Sequence, residues 1–322
     1  MRLTNFKEIL NKYKYQASLR LSTAMPRTLP LLFRKPFVIL IEPTNTCNLN
    51  CQMCIRGDRP VGMMNLNLFK QLIDEAADIG KVLLFLHVGG ESLLHPDFIE
   101  MLEYTMNKHD RFREVGFFTN GTLFTEKVAD AVVRLGIDFV NFSVDGVGDV
   151  TQNIRRGSNY ETVKKNIQFL IELRGNKLKP RVSIVTTITV QSDDELRNVQ
   201  KEWMGKIDNV AFGPQLDYDF RVMNLPHAQQ FNPSWIIDHP CKMPFSWLCV
   251  LWNGDLTYCC HNIQGKYLIG NAKETALLKS WRSKQMAHIR KGILLNSPIP
   301  GTLCEKCRKY DWATSRSTLL EN

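Results

Sequence analysis

The sequence lacks an apolar run anywhere near the roughly 20 residues that a membrane-crossing helix needs. It also lacks internal repeats and low-complexity stretches, which excludes a solenoid or a repeat array. No patch of basic residues interleaved with aromatics is present, which argues against a nucleic-acid surface. Acids are scarce at one end. Residues 1–36 hold Arg2, Lys7, Lys12, Lys14, Arg20, Arg27, Arg34 and Lys35 against Glu8 alone. The formal charge of +9 therefore belongs mostly to this segment, and the remainder is nearly balanced. No signal peptide is evident, so a reducing cytoplasm and unbridged thiols are expected.

What is present is ordinary for a globular chain. The 322 residues are 44% hydrophobic, with Gly 19 and Pro 14. That length suits about two domains with a substantial core. In the basic segment, Phe6, Ile9, Leu10, Tyr13 and Ala17 recur at helical spacing. Such a helix could meet an anionic membrane surface. Its modest amphipathy, interrupted at Tyr13 and Tyr15, favours docking on the protein body with solvated lysines.

From Phe37 the pattern alternates. Apolar runs at about 37–42, 82–88, 113–118, 138–144, 181–190 and 208–213 read as buried parallel strands. Helical patterns lie between them, at about 66–79, 96–108, 125–135, 159–174 and 193–204. The expected class is α/β, built from right-handed βαβ units. Six strands are too few for the eight-stranded closed barrel. Around 220–240 the texture becomes that of a linker. The expected division is a basic extension (1–36), an α/β body (37–225) and a cysteine-organised domain (226–322).

Cys47, Cys51 and Cys54 are the most informative residues. Their C-x3-C-x2-C spacing supplies three thiolates where Fe–S clusters usually take four. Three ligands leave one iron of a cubane open to bind something. Zinc is the competing reading, but structural zinc takes four ligands at short spacings and the next histidine, His87, is distant.

The triplet, following the strand that ends at Glu42, resembles the radical S-adenosylmethionine (SAM) superfamily. Gly89-Gly90-Glu91 resembles that family's GGE motif. Thr119-Asn120-Gly121, Ser143-Val144-Asp145-Gly146, and Arg155 with Gly157 fall where its later strands end. The resemblance covers about residues 37–310, with departures at Met53, where an aromatic is commoner, and Ser92, where proline is frequent.

The resemblance implies a partial (β/α)6 barrel. It implies a [4Fe–4S] cluster on Cys47, Cys51 and Cys54, with SAM chelating the open iron. It assigns the SAM amino group to the carbonyls of Gly89 and Gly90 and to Glu91. Ser143 and Asp145 meet the ribose or amino-acid part, and Arg155 pairs with the carboxylate. Standing alone, Gly-Gly and Asp-Gly read as turns and Arg155 as solvated. His95 before Pro96 is expected to cap a helix. The implied chemistry is reductive cleavage of SAM to a 5′-deoxyadenosyl radical that takes a hydrogen atom from an unactivated carbon.

The other cysteines are Cys241, Cys249, Cys259, Cys260, Cys304 and Cys307. A hairpin is expected around Asn253-Gly254. Cys241, Gly254, Cys259, Cys304 and Cys307 resemble the twitch domain, a shortened SPASM module. That implies an auxiliary [4Fe–4S] cluster on Cys241, Cys259, Cys304 and Cys307, with zinc as the competing occupant. Cys249 and Cys260 are left over, either as small buried hydrophobes or as hydrogen-atom donors. The expected substrate is a sugar, aminocyclitol or similar polyol, oxidised or epimerised, with Arg221 and His227 as contacts. The alternatives are maturation of a ribosomal peptide, although residues 1–36 are too short for the peptide-binding winged-helix segment such relatives carry and lack its alternating strands, and a non-catalytic Fe–S carrier or zinc scaffold. The expected reductant is flavodoxin or ferredoxin, whose acidic surface suits a basic partner.

Overall fold

The computed structural model describes residues 33–57, 59–214, 241, 243–295, 297 and 299–306. The amphipathic pattern at residues 6–17 and the expected boundary near residue 225 lie outside them.

The body alternates strand and helix. β1 (Val38–Ile41) leads to α1 (Leu66–Ile79), β2 (Leu83–Phe85) to α2 (Phe98–Met106), and β3 (Glu114–Thr119) to α3 (Glu126–Leu135). β4 (Phe139–Ser143) is followed by α4 (Asp149–Ile154) and α5 (Tyr160–Arg174). β5 (Arg181–Ile188) is followed by α6 (Asp193–Trp203) and then β6 (Asn209–Pro214). The expected boundaries therefore agree to within a few residues. Local chemistry explains the helix starts. The Asn65 and Asn159 side chains accept backbone N–H bonds at the heads of α1 and α5, and Ser192 with Glu195 closes a capping box on α6. On α1 the buried residues Leu68, Phe69, Leu72, Ile73 and Ala76 form one apolar stripe.

The later segment holds α7 (Met243–Ser246), β7 (Trp247–Val250), β8 (Asp255–Thr257) and β9 (Gly270–Asn271). α8 (Leu277–Trp281), α9 (Lys284–Leu294) and α10 (Leu303–Lys306) follow. The sheet order is β6-β5-β4-β3-β2-β1-β7-β8-β9. β1 through β6 are parallel, as expected. β7 adds a further parallel strand, pairing Leu40 with Cys249 and Ile41 with Val250. β7 and β8 form the expected antiparallel hairpin across Asn253-Gly254. The cysteine-rich segment thus extends the body's own sheet. No helix among the described residues is long and apolar enough to cross a membrane.

Strand alternation divides the core in two. Ile39, Ile41, Leu84, Leu86, Val115, Phe117, Val140, Phe142, Val182 and Ile184 lie in the main core. Val38, Leu40, Cys249 and Leu251 form a second cluster on the opposite face, joined by Leu83, Phe85 and Trp247. Aromatic rings floor that inner face. Phe85 meets Phe139 edge-on at 5.0 Å and stacks at 5.8 Å from Phe118 and 6.4 Å from Trp247.

Phe117 is fully buried and meets Phe98 edge-on at 5.1 Å. Phe117→Ala is expected to cost about 3–5 kcal/mol, read as a lower urea midpoint. Leu178, 88% exposed, should tolerate alanine within about 0.5 kcal/mol.

Candidate functional site

In parallel α/β sheets chemistry collects at the carboxyl ends of the strands, and here the motif residues meet there. The loop leaving β1 is closed by Asn45, whose amide donates to Pro60 O and accepts from Gly62 N. The Gly89-Gly90-Glu91 turn sits directly on this loop, with Glu91 N donating to Thr46 O at 2.8 Å. Gly90 has φ +70, and a Cβ there would lie 2.6 Å from the Asn45 backbone. Only glycine allows that approach at that φ.

Glu91 is 1% exposed. Its carboxylate accepts from Asn120 N (2.6 Å), Thr119 Oγ1 (2.9 Å) and Leu93 N (3.3 Å). Burial pushes its pKa up to about 7, against the pull of those donors. Glu91 thus binds the end of β3 to the turn after β2. Ser92, where proline is frequent in the family, is buried and donates to Leu86 O. His95 caps a helix as expected: it ends the short helical turn Ser92–Leu94, its backbone N–H donating to Ser92 O. Asp97 starts α2, and the buried His95 ring bonds Met64 O through Nε2 and accepts Asp97 N–H at Nδ1. A carbonyl only accepts, so Nε2 carries the proton.

The three cysteines lie on the loop after β1. Leu49 N points at Cys47 Sγ (3.4 Å), and Arg155 Nη1 stands 4.0 Å from Cys51 Sγ. The cysteine loop is also stitched to the turn after α4, through Asn50 N to Arg156 O and Gln52 N to Ile154 O. Burial raises the Cys47 thiol, and pushes Cys51 up to about 11 against the pull of Arg155. A thiol must ionise to bind iron. The N–H and guanidinium contacts at sulfur are those a cluster ligand accepts, so these residues fit the group. Among the described residues no three His, Cys, Asp or Glu side chains converge as the ligands of one ion would. A cubane differs, because its irons sit at separate corners.

Asp145 and Arg155 meet each other. Asp145 Oδ2 lies 2.7 Å from Arg155 Nε, a close charge contact without hydrogen-bond alignment, and Oδ1 accepts from Thr187 N. Ser143 shares the face of Phe139 and Asn141, by strand alternation. His87, near the end of β2, lies against Phe118 on that inner side with its Nδ1 buried. Burial first, and Arg155 second, lower its pKa to about 4, so the ring is neutral near pH 7.

Glu42 is the residue that motif reasoning missed. It is fully buried at the end of β1. Its carboxylate accepts from the two terminal guanidinium nitrogens of Arg59, Nη2 at 2.6 Å and Nη1 at 2.7 Å. It also accepts from Gly89 N (3.1 Å) and Trp252 N (3.0 Å). One side chain therefore joins β1, the cysteine loop, the Gly-Gly turn and the hairpin after β7. An acid ending an otherwise apolar strand was the available signal.

The second cysteine group is partly assembled. Cys241 and Cys304 both pack on Phe33, Phe245 and Ile293. Cys304 Sγ lies 3.7 Å from Tyr258 Oη, beside Cys259 in sequence. Cys259 belongs to the main core, whereas its neighbour Cys260 packs on the inner-face cluster with the buried Cys249. Burial raises the Cys249 thiol well above its ordinary value. Cys307, Arg221 and His227 lie outside the described residues.

Residues 41–202 match the Radical SAM superfamily, and residues 241–308 match SPASM, an iron-sulfur cluster-binding domain. The chain belongs to the radical SAM superfamily. Its cofactors are SAM and [4Fe–4S] clusters, an auxiliary cluster included. It is similar to the tungsten-containing aldehyde ferredoxin oxidoreductase cofactor-modifying protein of Pyrococcus furiosus. The two are 31% identical over 158 residues, 46% of this chain and 43% of that protein. The AdoMet-dependent heme synthase of Methanosarcina barkeri is 37% identical over 126 residues, 38% of this chain and 35% of that one. The chain thus matches less than half the length of either relative. Streptococcus suis SuiB, solved bound to the precursor peptide SuiA, shares the fold. Its TM-score is 0.65 at 14% identity, covering 89% of this chain and 72% of that one.

In this radical SAM enzyme, Glu42→Gln should leave the Arg59 guanidinium buried without its counter-charge. The expected loss is about 3–5 kcal/mol in chemical denaturation, largely recovered in Glu42→Gln/Arg59→Met. A single variant within about 0.5 kcal/mol of wild type would remove Glu42 from its joining role.

Proposed function

We propose that this radical SAM enzyme takes a hydrogen atom from a carbinol carbon of a small polyol, a sugar or aminocyclitol, leading to oxidation or epimerisation. The observation that carries this reading is the chemistry of the inner face. Above the aromatic floor it presents His87, Asn141 and Ser143, neutral groups that donate and accept as hydroxyls require. The charged residues beside them, Asp145 and Arg155, are already matched to each other.

In this reading Cys47, Cys51 and Cys54 would hold the SAM-binding cluster. Cys241, Cys259, Cys304 and Cys307 would hold the auxiliary cluster of a twitch-type module. When bound, these groups supply a carbon radical able to take hydrogen from an unactivated C–H bond. The chain's own residues do the rest. Gly89 and Gly90 present backbone to the SAM amino group, and Ser143 meets its ribose or amino-acid part. Arg155, oriented by Asp145, offers its guanidinium to the SAM carboxylate. Phe85, Phe118, Phe139 and Trp247 seal the base of the pocket from water. Neutral His87 accepts a hydrogen bond from a substrate hydroxyl at Nδ1. Cys260, partly exposed where Cys249 is sealed, is the better placed hydrogen donor for an epimerase. Flavodoxin or ferredoxin supplies the electron.

The test is anaerobic turnover of reconstituted enzyme with carbon-deuterated polyols. Deuterium is expected in 5′-deoxyadenosine, and Cys260→Ala should keep that transfer while losing the inverted product. Transfer from a peptide panel and from no polyol would replace this reading with peptide maturation.

A further inference from the structure

A cavity of about 760 Å³ lies between the cysteine loop and the loop that follows the β7–β8 hairpin. Cys51 and Cys54 stand in its wall, together with Arg56, Arg59, Gln264 and Lys266. None of Gly89, Gly90, Ser143, Asp145 or Arg155 lines it, so it adjoins the face where the SAM motifs meet without containing their residues. Cys51 borders both, since its sulfur also faces Arg155.

The walls are built rather than incidental. Gln264 lies against Gly57 of the cysteine loop, at 3.1 Å from where a Cβ would stand. Arg59 lies in turn against Gly265, also at 3.1 Å. Each loop thus seats its long polar side chain on the other loop's glycine. Glu42 fixes the far side of the Arg59 guanidinium. Both side chains are more than nine-tenths buried, yet Arg59 Nε and Gln264 Oε1 have no hydrogen-bond partner. Buried polar atoms of this kind are costly unless something meets them.

The charge balance says what that partner is. Glu42 offsets Arg59, and Arg56 and Lys266 add two more cations. Asp255 is the acid in the wall among the described residues; Asn253 and Asn271 donate to its two oxygens without cancelling its charge, so outside the cluster ligands Arg56, Arg59 and Lys266 stand against Glu42 and Asp255 with one cation in excess. The ligand must therefore bring negative charge and acceptor oxygens for Arg59, Arg56 and Lys266. It must also bring one donor, such as a hydroxyl, for Gln264 Oε1.

We propose that this cavity is an anion subsite of the substrate pocket, taking the phosphate or carboxylate of a hydroxylated small molecule. The inference rests on the polyol reading and narrows it to acidic polyols. Arg56 and Lys266 bind the anion, Arg59 donates through Nε, and Gln264 accepts from an adjacent hydroxyl.

The experiment uses the full chain, reconstituted anaerobically and reduced with dithionite. Equilibrium dialysis with labelled inorganic phosphate, acetate and glucose gives the affinities. The ³¹P hyperfine coupling to the reduced cluster on the Cys51 loop gives the location of phosphate. Saturable phosphate binding with a ³¹P coupling is expected, and acetate binding in its place identifies a carboxylate. Lys266→Gln, on an exposed side chain, and Arg56→Gln should each weaken anion binding roughly tenfold or more, as loss of a charge-assisted hydrogen bond does. No saturable anion binding, binding unchanged in both variants, or glucose binding as tightly as the anions would overturn the proposal. Formation of 5′-deoxyadenosine by wild type in the same preparation separates these failures from failure of the radical reading itself.

Discussion

A carboxylate placed where no water can reach it has to be met on every side, and Glu42 organises this molecule for that reason. Its oxygens receive four donors from three separate segments: two from Arg59, one from Gly89 and one from Trp252. Each donor can be buried because the charge is there, and the charge can be buried because the donors are there. β1 alone does not determine where the cysteine loop or the Gly-Gly turn goes. The Glu42 carboxylate does, by requiring both to come back to the end of the strand.

The later segment is drawn into the same arrangement. β7 hydrogen-bonds to β1 along its length, and the residue after it, Leu251, continues the apolar inner face. Trp252 then donates from its backbone to Glu42 and from its indole to Pro60 O at 3.2 Å. The iron-sulfur domain is therefore registered on the cysteine loop through backbone pairing as well as side-chain contact. Rigid placement of this kind lets two loops share the walls of one cavity. A hinged domain would present those polar groups to water instead.

Much of this was legible in the amino-acid order. The helix at 66–79 could be read to the residue, because its apolar stripe is regular and Asn65 marks its start. The cysteine spacing, Gly90 and the Asn253-Gly254 turn were legible too, since each reflects a local demand on backbone or ligand. Glu42 was not, because one acid at a strand end looks like any strand terminus. The pairing of β7 with β1 was hidden for a related reason: four residues, Trp-Leu-Cys-Val, carry too little periodicity to name a partner more than 200 positions away. Adjacent Cys259 and Cys260 differ in role by the family resemblance, and only the packed structure shows that they serve opposite faces.

By itself the sequence determined the elements, their parallel order and the presence of a three-thiolate ligand set, because hydrophobic period, capping residues and ligand spacing act over a few positions. Only the tertiary structure decided that Asp145 matches Arg155, that Glu91 is spent holding β3, and that Arg59 and Gln264 face one cavity across two loops. Those outcomes depend on which polar groups are buried together. Desolvation is a property of the packed surroundings, not of any one stretch of chain.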